Sequence, residues 1–149
     1  MMNNLDVVDI LIVEDNAQDA ELAIRALKKN NLANNLFVVE DGAEAIDFLF
    51  CQGKYAARSG NNNPRVVLLD LKLPKLSGLE VLKIMKSDER TLMIPVVAVT
   101  SSQEEPDIIE AYKLGANSYV VKPMDFNHFS TAMSSIGMYW LLINKTLHD

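Results

Sequence analysis

A single cysteine, Cys51, stands in the 149 residues, so no disulfide can form within the chain, which fits a reducing compartment. Positive charge is also scarce. Lys and Arg number 14 against 20 Asp and Glu, a net charge of −6, whereas non-specific nucleic-acid binding needs the opposite balance. No apolar run approaches the ~18 residues of a membrane span. Met1 to Asp9 carries neither the basic nor the apolar region of a signal peptide. A cytoplasmic protein with no nucleic-acid or membrane partner is expected. No Gly-rich loop follows the first apolar run, which ends in Glu14-Asp15-Asn16, so a phosphate-cradling nucleotide fold is excluded. His128 and His148 lie apart from other soft ligands, and Cys51, between Phe50 and Gln52, reads as a small core residue. Thiol or histidine-metal catalysis has no basis here.

What is present is informative in its order. Hydrophobic residues at 49% and charged residues at 23% are ordinary for one globular domain, which at this length buries roughly 70% of its unfolded surface. Val7 to Val13 reads as a buried strand ending in acid at Glu14-Asp15. Asn16 is placed to cap the helix that follows, Ala17 to Asn30, with Asp19 near the positive end of its dipole. Ala20, Ala23, Ile24 and Leu27 form that helix's apolar stripe. Leu36 to Val39 is a second strand, and Ala43 to Phe50 a second helix. Gln52 to Pro64 reads as a solvated surface loop of about 12 residues, long for a compact domain, and locally basic through Lys54, Arg58 and Arg65.

The third strand, Val66 to Leu69, is apolar and β-branched, as suits burial on both faces of a parallel sheet, and it runs into Asp70. Ser77-Gly78 opens a helix with Val81, Leu82 and Met85 on one face. Ile94 to Thr100 is a fourth strand. A helix with capping-box spacing at Ser102 and Glu105 follows it, with Pro106 in its first turn, the stripe Ile108, Ile109 and Tyr112, and Gly115 at its end. Ser118 to Lys122 is a fifth strand, closed by Pro123, and Asp125 starts the last helix. Strands alternating with helices predict an α/β fold, a doubly wound five-stranded parallel sheet with helices on both faces.

In such a sheet all strand ends lie along one edge, where open α/β folds bind ligands. Glu14, Asp15, Asp70, Thr100 and Lys122 therefore converge. An isolated strand-end Asp reads as a turn cap, but five polar residues ending four apolar strands do not. Crowded carboxylates call for a raised pKa or a bound cation. Hard oxygen ligands beside open water positions suit Mg²⁺, leaving the Lys and Thr side chains to meet phosphate oxygens.

The segments Ile12-Val13-Glu14-Asp15, Leu68-Leu69-Asp70-Leu71-Lys72-Leu73-Pro74 with Ser77-Gly78, Val99-Thr100-Ser101, Leu114-Gly115-Ala116 and Val121-Lys122-Pro123 together resemble the receiver domain of two-component response regulators. The resemblance runs over essentially the whole chain. It implies the flavodoxin-like receiver fold, and a single receiver over residues 1–149 with a C-terminal helix extension from about residue 136. It implies Asp70 as phosphoacceptor from a sensor histidine kinase, and Mg²⁺ held by Asp15 directly, by Glu14 through water, by Asp70, and by the backbone carbonyl of Lys72. Lys122 and Thr100 would meet the phosphoryl oxygens, with the Ser101 N–H beside them. Thr100 and Tyr119 would form the switch, and the peptide before Pro123 would be cis. Lys72 and Ser102 occupy the positions where the family tunes phosphate lifetime. The family is a phosphoacceptor assisting its own Mg²⁺-dependent phosphorylation and dephosphorylation rather than an enzyme in the ordinary sense. A receiver-like module that binds partners without phosphorylation is the alternative. A haloacid-dehalogenase-type phosphatase would want a second Asp two residues beyond Asp70, where Lys72 stands.

The long loop before the third strand and the Tyr139-Trp140-Leu141 ending resemble single-domain regulators serving phytochrome-type sensor kinases. With one helix of chain beyond Pro123, no output domain is expected. Phe126, Phe129, Met133, Ile136, Trp140 and Ile143 form one stripe that a core can absorb. Met138, Tyr139, Leu141 and Leu142 make the end apolar nearly all round, which points to a homodimer through this helix. Gly137 leaves fold-back of the tail onto its own domain as the alternative.

Overall fold

The computed structural model describes residues 8–29, 35–58, 62–101 and 106–135. The elements run β1 (Ile10–Val13), α1 (Ala17–Lys29), β2 (Leu36–Val39), α2 (Gly42–Leu49), β3 (Val66–Asp70), α3 (Gly78–Lys86), β4 (Val96–Thr100), α4 (Pro106–Lys113), β5 (Ser118–Val121) and α5 (Phe126–Ser135), with a 3₁₀ turn at Gly53–Tyr55 between α2 and β3. The five strands form one parallel sheet in the order β2-β1-β3-β4-β5, the doubly wound arrangement expected. Strand order reverses at β1 and β3, where this topology opens its crevice.

Alternation along the strands builds two cores. Leu11, Val13, Val67, Leu69, Val96 and Ala98 pack with α2 and α3 through Phe48, Val81, Leu82 and Met85. Ile10, Ile12, Val66, Leu68, Val97, Val99 and Val120 pack with α1 and α5 through Ala23, Leu27, Phe129 and Met133. Asp70 shares the face of Val66 and Leu68, and two-residue steps from Ile12 and Val120 reach Glu14 and Lys122. These three polar residues continue the α1/α5 face beyond its apolar rows. Glycine lets α3 begin against the end of β3: a Cβ on Gly78 would stand 2.1 Å from the Asp70 carbonyl oxygen.

Several boundaries differ from expectation. β1 runs from Ile10, while Val7 of the expected strand lies outside the described residues; just before the strand the Asp9 carboxylate, 2% exposed, accepts from the Asn35 N–H at 3.1 Å and lies 3.6 Å from Arg65 Nε. β4 begins after Pro95, which has no N–H to give a ladder. β5 ends at Val121. α2 starts one residue early, at Gly42, because Asp41 is its N-cap and accepts from the Glu44 N–H. On α4 the buried positions are Ile108 and Ala111, while Ile109 and Tyr112 are exposed, so the predicted stripe was turned too far around the helix. The capping pair Ser102 and Glu105, Asn30, and the C-terminal residues 136–149 lie outside the described residues. Among the described residues no helix is long and apolar enough to cross a membrane.

The loop after α2 is the largest correction. It is docked, not merely solvated. Arg58 is buried with its guanidinium 3.7 Å from the centre of the Phe48 ring. Its Nη1 donates to the Phe48 carbonyl and its Nη2 to the Asn62 carbonyl at 2.9 Å. Tyr55 is buried against Phe48 and Phe37, and its hydroxyl donates to Glu44 at 2.5 Å. Cys51 is half-buried rather than core, in the left-handed region (φ 55°) just past the end of α2, with Arg58 Nη1 3.6 Å from its sulfur.

Candidate functional site

The ends of β1, β3 and β5 align by register. Val13 pairs with Leu69 and Thr100 with Val121, so Glu14 stands beside Asp70 and Lys122 follows one residue beyond. The Lys122 N–H donates to the Thr100 carbonyl at 2.7 Å, which ties β5 to β4 at this edge, and the Lys122–Pro123 peptide is cis, as the resemblance implied.

Glu14, Asp15 and Asp70 bring one carboxylate oxygen each within 4.8 Å of one another. Glu14 and Asp70 are buried and Asp15 is exposed, so the group is fixed on its inner side and open to water on its outer side. Asp70 is held at both oxygens: Oδ1 accepts from the Lys72 N–H at 3.0 Å and Oδ2 from Lys122 Nζ at 2.9 Å. The same ammonium lies 3.0 Å from Glu14 Oε1 and 3.1 Å from Asp19 Oδ2. Above these groups opens a pocket of about 190 Å³, lined also by Asn16, Leu71, Thr100 and Ser101.

Charge is unbalanced here. Burial pushes the Glu14 carboxyl up to about 7, against the lowering pull of Lys122 and the Asn16 N–H, and the charge of Asp70 adds to the rise. Burial also works against charge on Lys122, but its bonds to Asp70, Glu14 and Asp19 prevail and hold its pKa above that of an ordinary lysine. Three clustered oxygen ligands with an exposed side fit a small hard cation that keeps part of its water shell. The structure thus brings together Glu14, Asp15, Asp70 and Lys122, and places Thr100, buried, in the wall of the pocket. Lys72 contributes its backbone at the rim, its side chain exposed. Tyr119 is elsewhere, on the outer side of β5, 37% exposed and edge-on to Tyr112 at 6.2 Å between ring centres.

Asp19 is the residue that sequence reasoning missed. It was read as a favourable charge at the helix start, and its contact with Lys122 depends on a lysine 103 positions away in the chain. The available signal was its place one helical turn beyond an acid pair that ends a strand.

A family model described as the response regulator receiver domain matches residues 10–134. The chain belongs to this family. This receiver is 39% identical over 137 residues to the probable methanogenesis regulatory protein FilR2 of Methanothrix harundinacea, covering 92% of this chain and 86% of that one. It is 36% identical over 132 residues to the response regulator Rcp1 of Synechocystis sp., covering 89% and 88%. Among solved structures, the bacteriophytochrome response regulator AtBRR is 50% identical with a TM-score of 0.82, covering 90% of this chain and 95% of that one. The Mn²⁺-bound form of Rcp1 is 37% identical with a TM-score of 0.73, covering 89% and 93%. The receiver is therefore a two-component signalling domain whose relatives include phytochrome-associated response regulators, and its five-stranded sheet is theirs.

Proposed function

We propose that this receiver accepts a phosphoryl group on Asp70 from the phosphohistidine of a sensor histidine kinase, with Mg²⁺ as cofactor. The observation that carries the proposal is the Asp70 carboxylate, fixed at both oxygens by Lys72 and Lys122 and facing an open pocket of about 190 Å³ beside two further acids. An ionised carboxylate needs no general base. One Asp70 oxygen forms the new P–O bond as the P–N bond of the donor breaks, and the electron pair leaves with the imidazole. Asp15, Glu14, Asp70 and the Lys72 backbone carbonyl would hold the cation, which would supply positive charge to offset that of the transferring group. Lys122 and the Thr100 hydroxyl meet the phosphoryl oxygens.

Output follows from Thr100 moving toward the phosphoryl group and Tyr119 turning inward from its exposed place on β5. The partner kinase is of the phytochrome type, a reading supported by the bacteriophytochrome regulators among the similar structures. The chain acts in the cytoplasm as one receiver over residues 1–149, and it pairs with a second copy through the C-terminal residues beyond Ser135. The direct test is the intact mass after incubation with a small acyl phosphate, with and without Mg²⁺. One phosphoryl group on the wild type, none without Mg²⁺ and none on Asp70→Asn is expected. Equal labelling of the wild type and Asp70→Asn would remove Asp70 from the role.

A further inference from the structure

Resting on the phosphoacceptor reading just given, the site holds one more residue with a definable part, Asp19. A lysine ammonium has three protons to donate. Around Lys122 three carboxylates take them: Asp70 Oδ2 at 2.9 Å, Glu14 Oε2 at 3.1 Å and Asp19 Oδ2 at 3.1 Å. Asp70 and Glu14 also belong to the group whose oxygens converge for a cation, and Asp19 does not. It comes from the first turn of α1, and its side chain is 31% exposed where those of Glu14 and Asp70 are each 6%. Its place is braced from both directions. The Asn16 N–H donates to Glu14 Oε2 at 3.1 Å, Asn16 Oδ1 accepts from the Asp19 N–H at 3.0 Å, and Lys122 closes the ring between Asp19 and Glu14.

We propose that Asp19 is a positioning residue for phosphoryl transfer, anchoring the Lys122 ammonium on the α1 side of the pocket. As the Asp70 oxygen bonds to phosphorus, negative charge leaves the carboxylate and collects on the phosphoryl oxygens. The Lys122 bond to Asp70 weakens at the same moment. An ammonium still held at Glu14 and Asp19 exchanges one partner and swings on two, which delivers it to a phosphoryl oxygen with little lost order. Without Asp19 the ammonium rests between two buried carboxylates only. It then pairs more tightly with Asp70, which weakens the nucleophile, and it lacks the outer tether that faces the pocket.

The test uses the full chain as wild type, Asp19→Ala, Lys122→Ala and the double variant, with acetyl phosphate and Mg²⁺, following intact mass against time. Asp19→Ala slows phosphorylation about threefold to tenfold, while in the Lys122→Ala background the same change has almost no effect, because coupled residues are non-additive. The Mg²⁺ concentration for half-maximal rate stays within about twofold in Asp19→Ala, since Asp19 is outside the cation group. The ¹⁵N signal of the Lys122 ammonium, read in unphosphorylated protein, broadens in Asp19→Ala as the protons exchange faster with water. Additive slowing in the double variant overturns the anchor, as does a Mg²⁺ half-point that moves as far as the rate. Where Lys122→Ala is too slow to time, the ammonium signal decides, and an unchanged signal in Asp19→Ala overturns the proposal. A wild type that takes no phosphoryl group refutes the phosphoacceptor reading instead, and the ammonium signal still judges the anchor.

Discussion

Two charged clusters sit at opposite degrees of closure. Around Arg58 the charges are folded inward: the guanidinium stacks on Phe48 and donates to the Phe48 and Asn62 carbonyls, and the neighbouring Glu44 takes the Tyr55 hydroxyl and lies 3.0 Å from Lys54. At the strand ends, Glu14, Asp19 and Asp70 meet one ammonium, Lys122, with Asp15 beside them, and the group opens onto a pocket. The first arrangement satisfies its polar groups and fixes a long loop on α2. The second leaves negative charge in excess, which the cation of the proposed function would offset. Similar residues are thus closed in one place and open in the other, and the difference lies in whether partners complete the set.

Substitutions separate the two. Arg58→Ala has the largest expected effect on stability, a loss of about 3 kcal/mol by denaturant unfolding, because the Phe48 and Asn62 carbonyls lose the guanidinium bonds and the Phe48 ring loses its cover. Mg²⁺ binding is unchanged in that variant, and a loss below about 0.5 kcal/mol means the loop is not held by Arg58. Tyr55→Phe is expected to cost about 1 kcal/mol by the same measurement, the value of one hydrogen bond.

Further effects lie in pH dependence, and the two clusters have opposite signs. Glu14 has its folded pKa raised from 4.5 to about 7, so its contribution to stability is present below 4.5 and declines as pH rises to about 7. Glu14→Gln flattens that decline in metal-free protein. Glu44 is lowered from 4.5: burial opposes this, but the bonds from Tyr55, the Glu40 N–H and Lys54 prevail. Its contribution is therefore present above 4.5 and is lost as pH falls through the folded value, and Glu44→Gln removes that acid-side loss. Stability against pH for the two variants checks both, and slopes of the same sign would contradict the comparison.

The open cluster was the more legible in sequence. Glu14, Asp70, Thr100 and Lys122 each end or follow an apolar run, and a parallel sheet brings such ends to one edge whatever the loops do. The closed cluster was not, because its order comes from one arginine packing on a ring ten residues earlier, and a segment rich in Gly, Ser and Asn carries no periodicity to announce that. Asp19 fell between: the start of its helix at Ala17 was read correctly, but its partner Lys122, just past β5, is set by tertiary packing. On α4 the spacing allowed two faces, and only the contact with the sheet chose Ile108 and Ala111 over Ile109 and Tyr112.

The claim that the strand-end acids form an open set completed by a cation is tested most directly by thermal unfolding of wild type, Asp15→Asn and Glu14→Gln across a Mg²⁺ titration. A cation bound by the folded state alone stabilises by about 1–3 kcal/mol at concentrations well above its dissociation constant. The account predicts a rising unfolding temperature in the wild type, a smaller dependence on Mg²⁺ in Glu14→Gln, and nearly none in Asp15→Asn. A wild type indifferent to Mg²⁺ up to tens of millimolar, or an Asp15→Asn variant that responds as fully as the wild type, would contradict it.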